Sequence, residues 1–236
     1  MNKVGIVGGL GPESTVDYYQ SIISGYQERM DSKEVLPELF INSINMYQVF
    51  EFISKEDLDG LAAYLVDAIK KLEGVGVDFA IISANTPHLV FDKVKQKVDI
   101  PLISIVEETY KHTKALGLQK IGLIGTKFTM ENDFFKQPFI ADDKEIIVPT
   151  ESEQLYIHEK IVAELENGIV NHETKNDYLT IVKRMIAEDG IEGIILGCTE
   201  LPMIIKVEDL DIPQFNTTEI HVNKILDTIF SNDSIA

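Results

Sequence analysis

Short apolar runs rich in β-branched residues alternate along this chain with longer stretches whose apolar positions recur every three or four residues. This alternation is typical of βαβ units, in which helices cover both faces of a parallel sheet. Helices are predicted at 58–72, 154–166 and 174–188, among other stretches. Strands are predicted at 3–7, 38–45, 79–83, 101–103, 121–125, 145–148, 193–196 and 213–216.

The chain also repeats itself. Three segments recur in the same order at nearly one offset: 4–8 as 121–125, 81–84 as 195–198, and 99–101 as 211–213. The repeat predicts an α/β protein of two pseudo-symmetric lobes, 1–115 and 116–236, with the end of the chain free to return to the first lobe. Each lobe would be an open, mainly parallel sheet flanked by helices. Because such sheets bind ligands beyond the carboxyl ends of their strands, the active site is expected in the cleft between the lobes.

Charge and composition narrow the possible partners. The formal net charge of −18 argues against nucleic acid and anionic membranes. The sequence opens directly on a strand pattern, and no apolar run approaches the ~20 residues that span a bilayer. We therefore expect a soluble, cytoplasmic protein whose partner is a small molecule.

The glycine-rich segment from Gly8 to Thr15 follows the first strand and opens a helix. Glycines let backbone N–H groups approach an anion closely, and a helix N-terminus favours negative charge, so Gly9 is a candidate for substrate binding. The dinucleotide pattern is not met, because Ser14 occupies the place of its third glycine. The alternative is a strand–turn–helix with Ser14 or Thr15 near the cap.

Cys198 is the one cysteine of the chain, which excludes an intramolecular disulfide and a cysteine-rich zinc site. No His or Cys cluster has metal-ligand spacing. Cys198 follows an apolar strand, and a helix is expected to begin there. A helix N-terminus stabilises a thiolate, so we predict an accessible thiol with a lowered pKa as the main reactive group. An inert packing role is the alternative.

Short polar side chains follow three of the predicted strands and are candidates for holding a carboxylate. In the first lobe they precede His88, which could orient a neighbour. Near 125–132, Thr129 and Asn132 would suit helix capping. The candidate substrate-binding residues are Gly9, Ser83, Asn85, Thr86, Thr126, Thr199 and Glu200.

The segments 8–15, 85–88, 125–131 and 197–200 occur in that order and together resemble the aspartate/glutamate racemase superfamily, closest to its aspartate racemase branch. The Gly-Cys-Thr-Glu and Asn-Thr-x-His motifs are the most specific parts of a resemblance that runs over essentially the whole chain. It implies an isomerase without cofactor or metal, a homodimer, and an amino acid held between two acid/base residues on opposite faces of Cα.

Ala84 departs from that pattern. The superfamily usually has cysteine, sometimes threonine, just before the Asn-Thr motif, and the internal repeat independently aligns Ala84 with Cys198. Alanine cannot transfer a proton, so the symmetric two-thiol mechanism is closed to this chain. If it racemises, Ser83, Thr86 or a held water must serve the face opposite Cys198, and activity is expected to be impaired.

Three functions fit these residues. The first is a PLP-independent amino-acid racemase with Cys198 as its acid/base, acting on an amino acid or related carboxylic acid. The second is a one-cysteine lyase or isomerase of the same superfamily, resembling arylmalonate decarboxylases. The third is a catalytically silent binding protein.

Specificity can also be predicted. The chain has two arginines, Arg29 and Arg184, and both fall on predicted helices away from the strand ends. Glu166 stands where aspartate-specific relatives have a lysine, so we expect neutral or broad amino-acid use rather than recognition of a side-chain carboxylate.

Overall fold

A computed structural model describes residues 1–231. Its strands are β1 Val4–Gly8, β2 Leu39–Ser43, β3 Phe79–Ile82, β4 Leu102–Ile103, β5 Lys120–Ile124, β6 Glu145–Ile147, β7 Gly193–Leu196 and β8 Gln214–Asn216. Its helices are α1 Pro12–Arg29, α2 Met46–Ser54, α3 Leu58–Gly74, α4 Phe91–Lys95, α5 Ile105–Ala115, α6 Lys127–Glu131, α7 Gln137–Ile140, α8 Glu151–Ala163, α9 His172–Arg184, α10 Leu201–Ile204 and α11 Thr217–Phe230. Every predicted strand is present, to within two residues at each end.

The strands form two four-stranded parallel sheets with the same internal order, β2-β1-β3-β4 and β6-β5-β7-β8. The segments that recur in the sequence are therefore equivalent strands: β1 with β5, β3 with β7, and β4 with β8. The α/β class and the repeated open sheets predicted from the sequence are confirmed.

The chain separates into two compact units. One comprises Met1–Glu108 together with the chain from His221 onward, and the other comprises Thr109–Ile220. The last helix, α11, begins in the second unit and continues into the first. Residues 232–236, the end of the predicted second lobe, lie outside the described residues.

In the first unit, helices cover both faces of the sheet. Along β3, Phe79 and Ile81 pack with α1 and α11, whereas Ala80 and Ile82 pack with α3 and α4. Successive side chains of a strand point to opposite faces, so a strand covered on both sides must be apolar throughout. This is why the run 79–82 has no polar position.

In the second unit, one face of the sheet packs against α8, α9 and α10. Gly125 and Gly197 follow the adjacent strands β5 and β7, and a Cβ at Gly125 would lie 3.1 Å from the Gly197 carbonyl oxygen. Glycine at this point lets the two strand ends approach closely. The polypeptide that follows each strand is thereby brought together at the carboxyl edge of the sheet.

Candidate active site

The strand order locates the candidate site in each unit. In β2-β1-β3-β4 the chain leaves β1 toward β2 and returns on the other side at β3, so the carboxyl ends of β1 and β3 flank a topological switch point. Open α/β sheets bind ligands at such points. The corresponding ends in the second unit are those of β5 and β7. All the candidate residues predicted from the sequence lie at these four strand ends.

The glycine-rich turn after β1 is held by hydrogen bonds to Thr15, in the first turn of α1. The Gly9 N–H donates to Thr15 Oγ1 at 2.8 Å, and the Thr15 hydroxyl donates to the Gly11 carbonyl at 3.0 Å. Gly9 has φ of 74°, and a Cβ there would lie 2.3 Å from the Ile44 carbonyl oxygen. Glycine is therefore required for the backbone path. Substrate binding by Gly9 stays a prediction. The Gly9 N–H would have to leave the Thr15 hydroxyl to bind a substrate.

The segment after β3 is largely buried. Ser83 is fully buried, and its hydroxyl donates to the Val7 carbonyl at 3.1 Å. Ala84 and Thr86 are half-buried, and Asn85 is buried at the start of a 3-10 turn, Thr86–Val90. Ser83 thus ties β3 to β1, while the methyl group of Ala84 offers no proton.

His88, which the sequence suggested could orient a neighbour, is buried and neutral. The Ile105 N–H donates to its Nε2 at 3.4 Å, so Nδ1 carries the ring proton and donates to the Ala84 carbonyl at 2.9 Å. Burial lowers the pKa of His88 to about 4. Its role is to hold the backbone of Ala84, which is an orienting function.

A second buried histidine in this unit was missed by the sequence analysis. His221 Nδ1 accepts from the Tyr18 hydroxyl at 2.8 Å, and Nε2 donates to the Ile103 carbonyl at 3.1 Å. Burial first, and then the charge that His88 would carry, lower the pKa of His221 to about 3. The available signal was its position four residues before Ile225 on the apolar face of the last helix.

In the second unit, Thr126 caps the short helix α6. Its Oγ1 accepts from the Thr129 N–H at 3.3 Å and lies 3.1 Å from the Thr129 hydroxyl. The capping role predicted for Thr129 therefore belongs to Thr126. The Thr126 hydroxyl is half-buried, and a role in binding substrate stays a prediction.

Cys198 lies two residues beyond β7 and is 8% exposed. Its Sγ is 2.8 Å from Glu200 Oε2, and the Thr199 hydroxyl donates to the same oxygen, also at 2.8 Å. Glu200, 9% exposed, is the residue that precedes α10. An ionised carboxylate has only acceptors, so the thiol is the donor and carries its proton.

This environment overturns the predicted accessible, low-pKa thiol. Burial, and then the negative charge of Glu200, raise the pKa of Cys198 well above its usual value. The helix that was expected to begin at Cys198 begins at Leu201 and has only four residues. A helix this short contributes little potential, and the adjacent carboxylate outweighs it.

Glu166 and Tyr178 complete the acidic surroundings. Partial burial, followed by the charge of Glu200, raises the pKa of Glu166, although its side chain is largely exposed. Tyr178 is fully buried, donates to the Ile157 carbonyl at 2.9 Å, and has a raised pKa due to burial and to the charge that Cys198 would carry. Glu166 is thus exposed to solvent and also lies within electrostatic range of Glu200.

Both arginines lie on helices, as predicted, and both are paired with acidic side chains. Arg29 donates to Asp227 at 2.7 Å. Arg184 makes a bidentate contact with Glu153, in which Nε donates to Oε1 at 2.8 Å and Nη2 donates to Oε2 at 2.7 Å. It also donates to Asp189. Neither guanidinium is placed to serve as a carboxylate fork at a strand end.

Within residues 1–231, no group of three or more His, Cys, Asp or Glu side chains could hold a metal ion. No helix in the same range is both long enough and apolar enough to cross a bilayer.

Comparison with known proteins identifies relatives over nearly the whole chain. A model of the Asp/Glu/hydantoin racemase family matches residues 7–225. The broad specificity amino-acid racemase RacX of Bacillus subtilis is 24% identical over 233 residues, 98% of this chain and all of the relative. A crystal structure of an aspartate racemase homologue from Pyrococcus horikoshii is 35% identical, covers 98% of this chain and all of its own, and superimposes with a TM-score of 0.86. The Picrophilus torridus aspartate racemase shares the fold, with a TM-score of 0.75 at 20% identity over 97% of this chain and 94% of its own.

Proposed function

Because this chain belongs to the Asp/Glu/hydantoin racemase family, we propose that it is a cofactor-independent amino-acid racemase in which Cys198 is the acid/base residue. The observation that carries the proposal is the Cys198 thiol itself. It lies beyond the central strand β7, at the switch point of its sheet, and is hydrogen-bonded to a buried carboxylate. A thiol and a carboxylate in contact are the groups that can move a proton to and from carbon.

The chemistry is a proton exchange at Cα. In one direction the Cys198 thiolate removes the Cα proton, the electron pair of the C–H bond stays on the substrate, and the thiol is formed. A proton delivered to the opposite face then gives the other enantiomer, and Cys198 returns its own proton to solvent. In the reverse direction the resting thiol is the donor.

The proton donor for the opposite face is proposed to be Thr86 or a water held beside it. Ser83 is less suited, because its hydroxyl is buried and already donates to the Val7 carbonyl. Thr86 is half-buried rather than fully buried. Asn85, Thr86, Thr126 and Thr199 are proposed to bind the α-carboxylate, Thr199 through its backbone N–H because its hydroxyl already donates to Glu200.

The substrate is proposed to be a neutral amino acid or a broad set of amino acids. The acidic groups around Cys198 support this, since Glu166 and Glu200 would repel a side-chain carboxylate. The name of the Bacillus subtilis relative, which describes broad specificity, agrees with it. A cytoplasmic location and a homodimeric assembly, as implied by the family resemblance, belong to the same proposal.

A second function, a one-cysteine lyase or isomerase, is favoured by a specific observation. The position equivalent to Cys198 in the first unit is Ala84, and the histidine that binds the Ala84 backbone is neutral. A single thiol can protonate one face of an enediolate without a partner on the other face.

Solvent deuterium distinguishes these functions. The protein is incubated with single enantiomers of a panel of amino acids in D2O without added cofactor, and label at Cα is followed by NMR and chiral chromatography. Deuterium in both enantiomers is expected for the racemase. Label with retained configuration would establish one-face chemistry, and no label in any amino acid would leave a binding protein. Cys198→Ser is the control and should lower exchange by about 10²–10⁴-fold.

A further inference from the structure

Glu200 is as buried as the cysteine that it contacts. Cys198 is 8% exposed and Glu200 is 9% exposed, and 2.8 Å separates Sγ from Oε2. The Thr199 hydroxyl donates to the same oxygen. Two donors, the Cys198 thiol and the Thr199 hydroxyl, thus hold one oxygen of the carboxylate in place. Recognition of an amino acid by Glu200, the role expected from the sequence, would require this oxygen to exchange both partners.

The side chains that act electrostatically on the thiol are acidic, and a hydrogen bond from the Glu200 backbone N–H opposes them only in part. They are Glu200 beside it, Glu166 from the 3-10 turn Leu165–Asn167, and Tyr178 from α9. A thiolate formed next to an ionised Glu200 would place two negative charges in contact in a buried site. Such a pair strongly disfavours ionisation of the thiol, so the Glu200 carboxylate favours a proton on sulfur.

We propose that Glu200 is a positioning residue that holds the proton of Cys198 on sulfur, rather than a substrate-binding residue. Its carboxylate accepts from the thiol at 2.8 Å, and its charge opposes the loss of that proton. The resting thiol is therefore ready to donate a proton to the substrate, whereas the thiolate that removes one must form against this charge. The catalytic part of this inference rests on the proposed function, but the effect of Glu200 on the thiol proton does not.

Alkylation of Cys198 by iodoacetamide tests the pair directly, because only the thiolate reacts. Its rate is measured against pH in native wild-type protein and in Glu200→Gln, which keeps the shape of the side chain and removes its charge. We expect the half-maximal pH to fall by about one unit or more in the variant. Glu166→Gln should shift it in the same direction by less. Glu159→Gln, on the exposed side of α8, should leave it unchanged.

The pH profile of kcat/KM supplies the second readout. The part of the profile that reports ionisation of the thiol should shift to lower pH in Glu200→Gln, as the alkylation curve does. An unchanged or raised half-maximal pH in folded Glu200→Gln would overturn the inference, even in an active enzyme. A shifted curve in a protein that exchanges no amino-acid proton would uphold the pair and overturn the proposed function. If circular dichroism shows that Glu200→Gln does not fold, Glu200→Asp is used. It keeps the charge but withdraws it from sulfur, and the half-maximal pH should still fall.

Discussion

The carboxyl ends of β3 and β7 occupy the same place in two sheets of identical strand order, yet they have opposite chemistry. After β3 the structure has a methyl group at Ala84, a buried serine and a neutral histidine. After β7 it has a thiol in contact with a carboxylate. A repeated backbone therefore preserves the position of a site without preserving its acid/base groups.

The two units also differ in which ionisable groups they bury and in what those groups do. In the first unit, burial keeps His88 and His221 neutral, and their ring nitrogens bind the backbone. In the second unit, burial keeps Cys198 protonated beside an acidic partner. The buried histidines of the first unit serve as fixed hydrogen-bonding groups, whereas the buried thiol of the second unit holds a proton that can be moved.

Ala84→Cys removes the largest difference between the two strand ends. A thiol at the position equivalent to Cys198 should raise racemisation by about 10²-fold or more, since a positioned acid/base group contributes that much. The half-buried position should accept the larger side chain with little loss of stability. Racemisation of the amino-acid panel is compared in wild type, Ala84→Cys and Ala84→Ser. A folded cysteine variant with unchanged activity on every amino acid would contradict the equivalence of the two positions.

Acid should destabilise the first unit through its histidines. Both folded-state pKa values, about 4 for His88 and about 3 for His221, lie below the ordinary value of 6.5, so the unfolded chain binds more protons below that pH. The stabilisation is complete above pH 6.5 and is lost as pH falls toward 4 and 3. Each histidine should lower the free energy of unfolding by about 1.4 kcal/mol per pH unit across this range.

Urea unfolding at pH 7, 6 and 5 measures this effect. His221→Gln should flatten the pH dependence, and His172→Gln, at an exposed position, should not. Equal slopes in wild type and His221→Gln would show that His221 is not held neutral.

Glu166→Lys should change substrate preference by about tenfold. A lysine in the 3-10 turn after α8 would replace a repelling charge near Glu200 with one that attracts a side-chain carboxylate. The ratio of kcat/KM for aspartate to that for a neutral amino acid is compared with Glu159→Lys, which makes the same charge change on an exposed face. If wild type already prefers aspartate by tenfold or more, the proposed specificity is wrong.

The sequence alone predicted most of the fold. The run 193–196 was predicted with the bounds of β7, because a strand buried on both faces is apolar at every position. Helix α8 begins three residues before its prediction, since the Thr150–Glu153 capping box defines its start. That capping-box pattern is present in the sequence.

For the candidate site, sequence determined which residues stand at the strand ends, including the contrast between Ala84 and Cys198. Tertiary structure decided their chemistry. The pKa of Cys198 depends on burial and on the direction of the Glu200 side chain, and neither follows from the spacing of two residues along the chain. The same holds for His221, whose partners Tyr18 and Ile103 are more than a hundred residues away. Local patterns determine strands and helices because those depend on neighbouring residues, whereas proton affinity depends on everything that excludes water from the group.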